Sequence, residues 1–153
     1  CVCVCGAQPG VNKTLIRDAG GIDALVAAMA AHQADAVIHQ KALGALFNLA
    51  VVPDNKDAIR NASGIEAILR SLQVHRHQAL IQRNACWALW NLAAGSEPNR
   101  ERIFHLHGIE AVVQTLHNHR KFQEVCEKAL GVLDNLGVDG MCAGCLVQCR
   151  GCT

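Results

Sequence analysis

The stretch Ala85-Cys86-Trp87-Ala88-Leu89-Trp90-Asn91-Leu92-Ala93 decides the fold. At about 3.6 residues per turn it predicts one helix with two unlike faces. Ile81, Ala85, Ala88, Leu89 and Leu92 fall on one side as an aliphatic stripe suited to a core. Arg83, Trp87, Trp90 and Ala94 fall on the other side, with Asn91 on its shoulder. Two indoles pointing away from the expected core admit two readings: a buried contact against a neighbouring layer, or an exposed platform for a partner.

The same helix occurs three times. Ala42-Leu43-Gly44-Ala45-Leu46-Phe47-Asn48-Leu49-Ala50 lies 43 residues earlier, and Ala129-Leu130-Gly131-Val132-Leu133-Asp134-Asn135-Leu136-Gly137 lies 44 residues later. Working outward, each long helix closes a unit of the same design. The units open on Asn12-Lys13, Asn55-Lys56 and Asn99-Arg100, where the asparagine is expected to cap a short helix. That helix stops at Gly20-Gly21, Ser63-Gly64 and His107-Gly108, where a glycine can take a positive φ. A middle helix follows at once, opening on Ile22-Asp23, Ile65-Glu66 and Ile109-Glu110 and ending near Met29, Leu72 and Leu116. The acids suit the helix dipole. The third helix begins around Asp35, Ala79 and Gln123.

The chain therefore divides into residues 1–11, a cysteine-containing tail or the end of a preceding repeat; three repeats at 12–54, 55–98 and 99–140; and a cysteine-rich tail at 141–153. A single unit cannot bury its apolar faces alone, whereas stacked units share a continuous core. The expected fold class is all-α, a solenoid of three three-helix repeats.

Composition narrows the function. The 153 residues carry 14 basic and 13 acidic side chains and 51% hydrophobic residues. That near-neutral balance gives no electrostatic argument for nucleic acid or for a membrane surface. No apolar run approaches a membrane span, and no signal peptide opens the chain, so a cytoplasmic or nuclear setting is expected. The chain starts at Cys1, which suggests part of a longer protein with further repeats or domains. There is no glycine-rich phosphate loop, no nucleophile with a paired base and no zinc-protease signature, so neither an enzyme nor a cofactor is expected.

Two groups of residues could bind metal. His32, His75 and His119 follow the middle helices, where an imidazole can bond the last carbonyls; metal binding is the rival reading, but repeat-related histidines sit in different layers. Cys142, Cys145, Cys149 and Cys152 supply the four thiols of a tetrahedral zinc site, although their pairs lie unusually close together. A disordered tail or the start of another repeat competes with that metal-binding or redox reading.

Asn-Lys-x-x-Ile at Asn12 and Asn55, Gly-Gly-Ile-x-x-Leu-Val at Gly20, and the Asn-Leu ending of each third helix, recurring at 43–44 residues, resemble the armadillo repeat over residues 12–138. The resemblance implies a right-handed superhelix whose third helices line a concave groove for extended peptides. Trp87-x-x-x-Asn91 also looks like the motif of the importin-α receptors for nuclear localisation signals. In that family the asparagine bonds the peptide backbone and the tryptophans form slots for basic side chains. Asn48, Asn91 and Asn135 match the asparagine position, but only Trp87 matches the tryptophan, with Gly44 and Gly131 in its place elsewhere.

The residues themselves support a groove independently. An amide with both donor and acceptor suits an extended backbone, though each asparagine can instead bond within its own repeat. Glycine inside a helix costs about 1 kcal/mol relative to alanine, so Gly44 and Gly131 are expected either to leave hollows beside Trp87 or to allow close helix packing. Phe47 and Trp90 would extend the apolar wall and Asp134 would add a negative charge. The expected function is a protein-interaction scaffold that takes an extended or helical segment of another protein. A carrier of basic import signals is the specific alternative.

Overall fold

A computed structural model of the chain describes residues 9–137. The cysteine tails, including Cys142, Cys145, Cys149 and Cys152, lie outside the described residues. Within them the chain forms nine helices and no strand, in three consecutive triplets. The first is α1 (Pro9–Asp18), α2 (Gly21–Ala31) and α3 (Ala36–Leu49). Next come α4 (Pro53–Asn61), α5 (Gly64–Val74) and α6 (Ala79–Ala93), then α7 (Glu97–His105), α8 (Gly108–His119) and α9 (Gln123–Asn135). The third helices α3, α6 and α9 pack side by side, as do the middle helices α2, α5 and α8. Over the described residues the chain is an all-helical solenoid of three stacked triplets. None of these helices is long and apolar enough to cross a membrane.

The stripe on α6 forms the core: Ile81, Ala85, Ala88, Leu89 and Leu92 are all fully or nearly fully buried. Cys86 is also sealed inside, and burial pushes its thiol up to about 12 with help from Cys126, so it is inert at neutral pH. Asp35 caps α3 by accepting from the Val37 and Ile38 amides at 2.9 and 3.1 Å, which lowers its pKa.

The glycine pairs act differently from the expectation. The left-handed residue is the first of each pair, Gly20 (φ 75°), Ser63 (φ 60°) and His107 (φ 56°). The following glycine is needed for close approach. A Cβ on Gly64 would lie 2.5 Å from Ile59 Cγ2 and 2.8 Å from the Ile59 carbonyl oxygen, and Gly21 and Gly108 meet Ile16 and Ile103 in the same way. The short helix thus folds back onto the start of the middle helix with no room for a side chain.

The expected asparagine caps are also corrected. The short helices start at Pro53 and Glu97, not after the asparagines, so Asn55 and Asn99 sit inside the first turn and are completely buried. Each donates to the carbonyl that ends the preceding third helix, Asn55 to Leu49 at 3.1 Å and Asn99 to Leu92 at 3.0 Å. Arginines of the preceding repeat donate to their oxygens, Arg17 to Asn55 and Arg60 to Asn99. Helix C-termini leave orphan carbonyls, and here the next repeat satisfies them.

The loop histidines work in the same direction. His75 Nε2 donates to the Gln33 carbonyl at 3.0 Å and His119 Nε2 to the Arg76 carbonyl at 2.8 Å, so each imidazole ties its repeat to the previous one rather than bonding the last carbonyls of its own helix. A carbonyl only accepts, which fixes the proton on Nε2. No group of three potential metal ligands occurs among the described residues.

A third polar link lies deeper. Gln82 at the start of α6 donates to the Leu72 and His75 carbonyls, and its Oε1 lies 2.7 Å from the Thr115 hydroxyl of the next repeat. One repeat earlier His39 takes that place, with Nδ1 2.7 Å from Ser71 Oγ and its ring 4.6 Å from that of His75. Desolvation, then the His75 charge, holds the His39 pKa below the ordinary histidine value.

Two outcomes follow. Because folding lowers the His39 pKa, stability is unaffected by it above about pH 6.5 and falls below that, as the unfolded chain binds a proton that the folded one holds less tightly. His39→Gln, which copies Gln82, should melt with a smaller loss between pH 7.5 and pH 5.5 than wild type, measured by circular dichroism; equal losses would show that His39 does not couple folding to pH. In urea titrations Gly64→Ala should cost about 1–3 kcal/mol through overpacking, whereas Ser63→Gly should be neutral or stabilising.

Candidate functional site

The row formed by α3, α6 and α9 brings the expected site residues together. Phe47 and Asn48 lie on α3, Trp87, Trp90 and Asn91 on α6, and Asp134 and Asn135 on α9. Asn48 and Asp134 are exposed; the other five are half-buried. Their spacing follows from the repeat, since each residue reappears one layer on at the same turn of the third helix.

The asparagines bond across layers, not within their own repeat. Asn91 Nδ2 donates to the Phe47 carbonyl at 2.9 Å and Asn135 Nδ2 to the Trp90 carbonyl at 3.0 Å. Only Asn48, with no described layer before it, turns back to its own helix and donates to the Gly44 carbonyl at 2.9 Å. A carboxamide has two N–H groups and one oxygen, so each inter-repeat bond uses one of three functions.

The aromatic residues also reach between layers. Trp87 leans back onto Phe47, the rings stacked 4.3 Å apart and 4° from parallel. Such a pair contributes about 0.5–1.5 kcal/mol beyond its area. Trp90 leans forward onto Gly131, where an added Cβ would lie 2.9 Å from the indole. The hollow expected at Gly131 is therefore filled, and the glycine exists because the indole of the preceding helix needs its space. At Gly44 an added Cβ would meet only Asn84 Nδ2, at 3.8 Å, so that hollow remains.

Sequence reasoning missed Lys128. Its ammonium lies 4.7 Å from the Trp87 ring centroid and 5.0 Å from that of Trp90, a cation–π contact to both indoles. The side chain is only 19% exposed. Aligning the repeats places Lys128 at the position of Asn84, one turn before Gly131, and Asn84 likewise reaches back to donate to the Gln40 carbonyl at 3.2 Å. That alignment carries the signal: residues at this position cover the preceding third helix. Nearer the start of the same helices, Arg83 of α6 pairs with Glu124 of α9 at 2.6 Å. The row is a mixed apolar and amide surface with an internal cation.

The comparisons with known proteins agree with this architecture. No curated protein matches the chain. Among solved structures, the crystal structure of an engineered protein from the Northeast Structural Genomics Consortium is similar, with a TM-score of 0.74 and 29% identity. The similarity covers 84% of this chain and 50% of that one, so the chain spans about half the length of the engineered protein. The family described as GAC ARM domain matches residues 13–137, most of the sequence. Armadillo-type domains are helical repeat scaffolds, typically protein-binding and generally without catalysis. The chain belongs to the GAC ARM domain family of armadillo-type repeat proteins.

Proposed function

We propose that the chain is a protein-interaction scaffold that holds an extended or helical segment of a partner along the third-helix row. The observation that carries this reading is the row itself: Asn48, Asn91 and Asn135 recur at one turn of three adjacent helices, with Phe47, Trp87 and Trp90 half-buried between them. Half-buried aromatic side chains held rigid by stacking are the groups that contribute most at protein interfaces. The amides offer hydrogen bonds to a backbone that has no sheet partner of its own. Asp134, exposed at the α9 end, adds a negative charge that favours a basic residue at that end of the segment.

A carrier of basic import signals fits the same row less well. Lys128 already stands over the two indoles, and a second ammonium entering there would meet its charge. The scaffold reading carries with it a cytoplasmic or nuclear setting and a protein, rather than nucleic acid or membrane, as partner.

Selection of binding segments from a random peptide library, followed by tryptophan-fluorescence titration, tests the reading. Binding should change the emission of Trp87 and Trp90. Asn48→Ala and Asp134→Lys, both exposed, should each weaken it by about threefold to tenfold without lowering the melting temperature. Selected segments that bind both variants as tightly as wild type, or leave the emission unchanged, would place the interaction elsewhere on the molecule.

A further inference from the structure

The near-neutral total charge hides a separation of charge. In the second and third repeats Asp54, Asp57, Glu66, Glu97, Glu101 and Glu110 all lie in α4, in α7 or in the first turn of α5 and α8. Residues 67–83 and 111–123 carry the rest of the middle helices, the loops after them and the start of the third helices. They hold Arg70, Arg76, Arg83, Arg120 and Lys121 and no acid. Arg83 is paired with Glu124. The other four have no carboxylate partner among the described residues, whereas Arg17, Arg60, Arg100 and Arg102 are each in an ion pair.

Between α5 and α8 an open crevice of about 200 Å³ carries Gln73, Arg76, Gln114 and Asn118 in its walls, all four exposed. Gln82 and Thr115 lie buried beneath them, their Oε1 and Oγ1 already bonded to each other. The exposed groups keep donors to spare. Gln114 donates to Asn118 Oδ1 at 3.0 Å, which leaves the Asn118 N–H groups free, and Gln73 bonds to nothing among the described residues. Arg76 uses only its Nε, donating to His77 Nε2 at 3.0 Å, so both terminal amino groups of the guanidinium remain.

The matching crevice between α2 and α5 is built otherwise. Ala30 stands where Gln73 does, Arg70 stands where Gln114 does, and the wall includes the carboxylate of Glu66. The set of free donors without an acid therefore belongs to the second crevice, whose walls are two repeats packed on one another. The loops extend it. Arg76 and Arg120 hold the same place in successive layers, and the bond from His119 Nε2 to the Arg76 carbonyl fastens their loops together. Phe122 rests against His119, with ring centroids 5.7 Å apart, and is 54% exposed.

We infer that the α5–α8 crevice and its two loops bind an acidic segment of a partner polypeptide, at a site separate from the third-helix row. A glutamate or aspartate side chain enters the crevice. Its carboxylate is taken end-on by the terminal amino groups of Arg76, and the Gln73 and Asn118 amides donate beside it. The same amides offer oxygens to the backbone N–H groups of the segment. An apolar residue of the segment covers Phe122, and a further carboxylate meets Arg120 or Lys121. A nucleic-acid strand would call for a track of cations and successive stacking rings. Here one guanidinium stands in the crevice and one exposed ring beside it, which favours the polypeptide.

Amide nitrogen–proton correlation spectra of the whole chain, titrated with the peptide acetyl-Glu-Glu-Leu-Phe-amide, test this. The side-chain amide signals of Gln73, Gln114 and Asn118 should move, with half-saturation below about 10 mM. The uncharged analogue acetyl-Gln-Gln-Leu-Phe-amide should bind about tenfold more weakly. Arg76→Gln should weaken the glutamate peptide by about tenfold, whereas Lys41→Gln, which removes an exposed cation from α3, should change nothing. Circular dichroism checks that both variants keep their helices. No shift at that concentration, equal binding of the two peptides, an undiminished response in Arg76→Gln, or shifts confined to the Trp87 and Trp90 indoles would each overturn the inference. So would tighter binding of a single-stranded oligonucleotide or of anionic lipid vesicles through the same side chains.

Discussion

The junction between successive repeats is the constraint on which everything else depends. A three-helix unit of about forty residues has too little interior to fold alone, so its apolar face must be covered by a neighbour. Here that burial comes with polar registration. Buried Asn55 and Asn99 complete the carbonyl ends of α3 and α6, His75 and His119 complete the loop carbonyls at Gln33 and Arg76, and Asn91 and Asn135 bond the third helices to one another. A buried hydrogen bond adds only about 1 kcal/mol net, but a displaced layer would leave both partners unsatisfied at a larger cost. The apolar contacts supply most of the affinity between layers and the amides fix their register.

The same registration creates the surface proposed to bind. Since each layer repeats the last with a small rotation, a side chain that reaches back to the previous helix must lie at the edge of the third-helix row. The asparagines are there for that structural reason, and the row of amides on the surface is a by-product that a partner can use. The aromatic residues follow the same logic. Trp87 fills the space above Phe47 and Trp90 the space above Gly131, so the indoles are rigid and partly exposed at once. Lys128 over both rings keeps their faces covered by a cation of the chain itself.

Much of this was legible in the sequence. The stripe from Ile81 to Leu92, the threefold recurrence of the unit and the glycine breaks follow from periodicity and from backbone freedom, which are local properties. What was not legible is directional. Whether Asn91 bonds its own helix or the one before depends on the rotation between layers, which no single repeat encodes. The glycine pairs show the same limit: the break was correctly placed, but only the closeness of Ile59 to Gly64 shows that the second residue serves packing while Ser63 carries the positive φ. Lys128 escaped notice because its partners lie on a different helix some forty residues away, although its alignment with Asn84 gave a usable hint.

If neighbouring layers hold each other in place, stability must be graded along the array, highest where a unit is covered on both sides. Native-state amide exchange measures this directly. The account predicts that α5 and α6 exchange slowest, that α1 and α2 open first, and that Asn99→Ala speeds exchange in the second and third repeats together while leaving α1 unchanged. Equal protection in α1 and α6, or an effect of Asn99→Ala confined to α7, would contradict it.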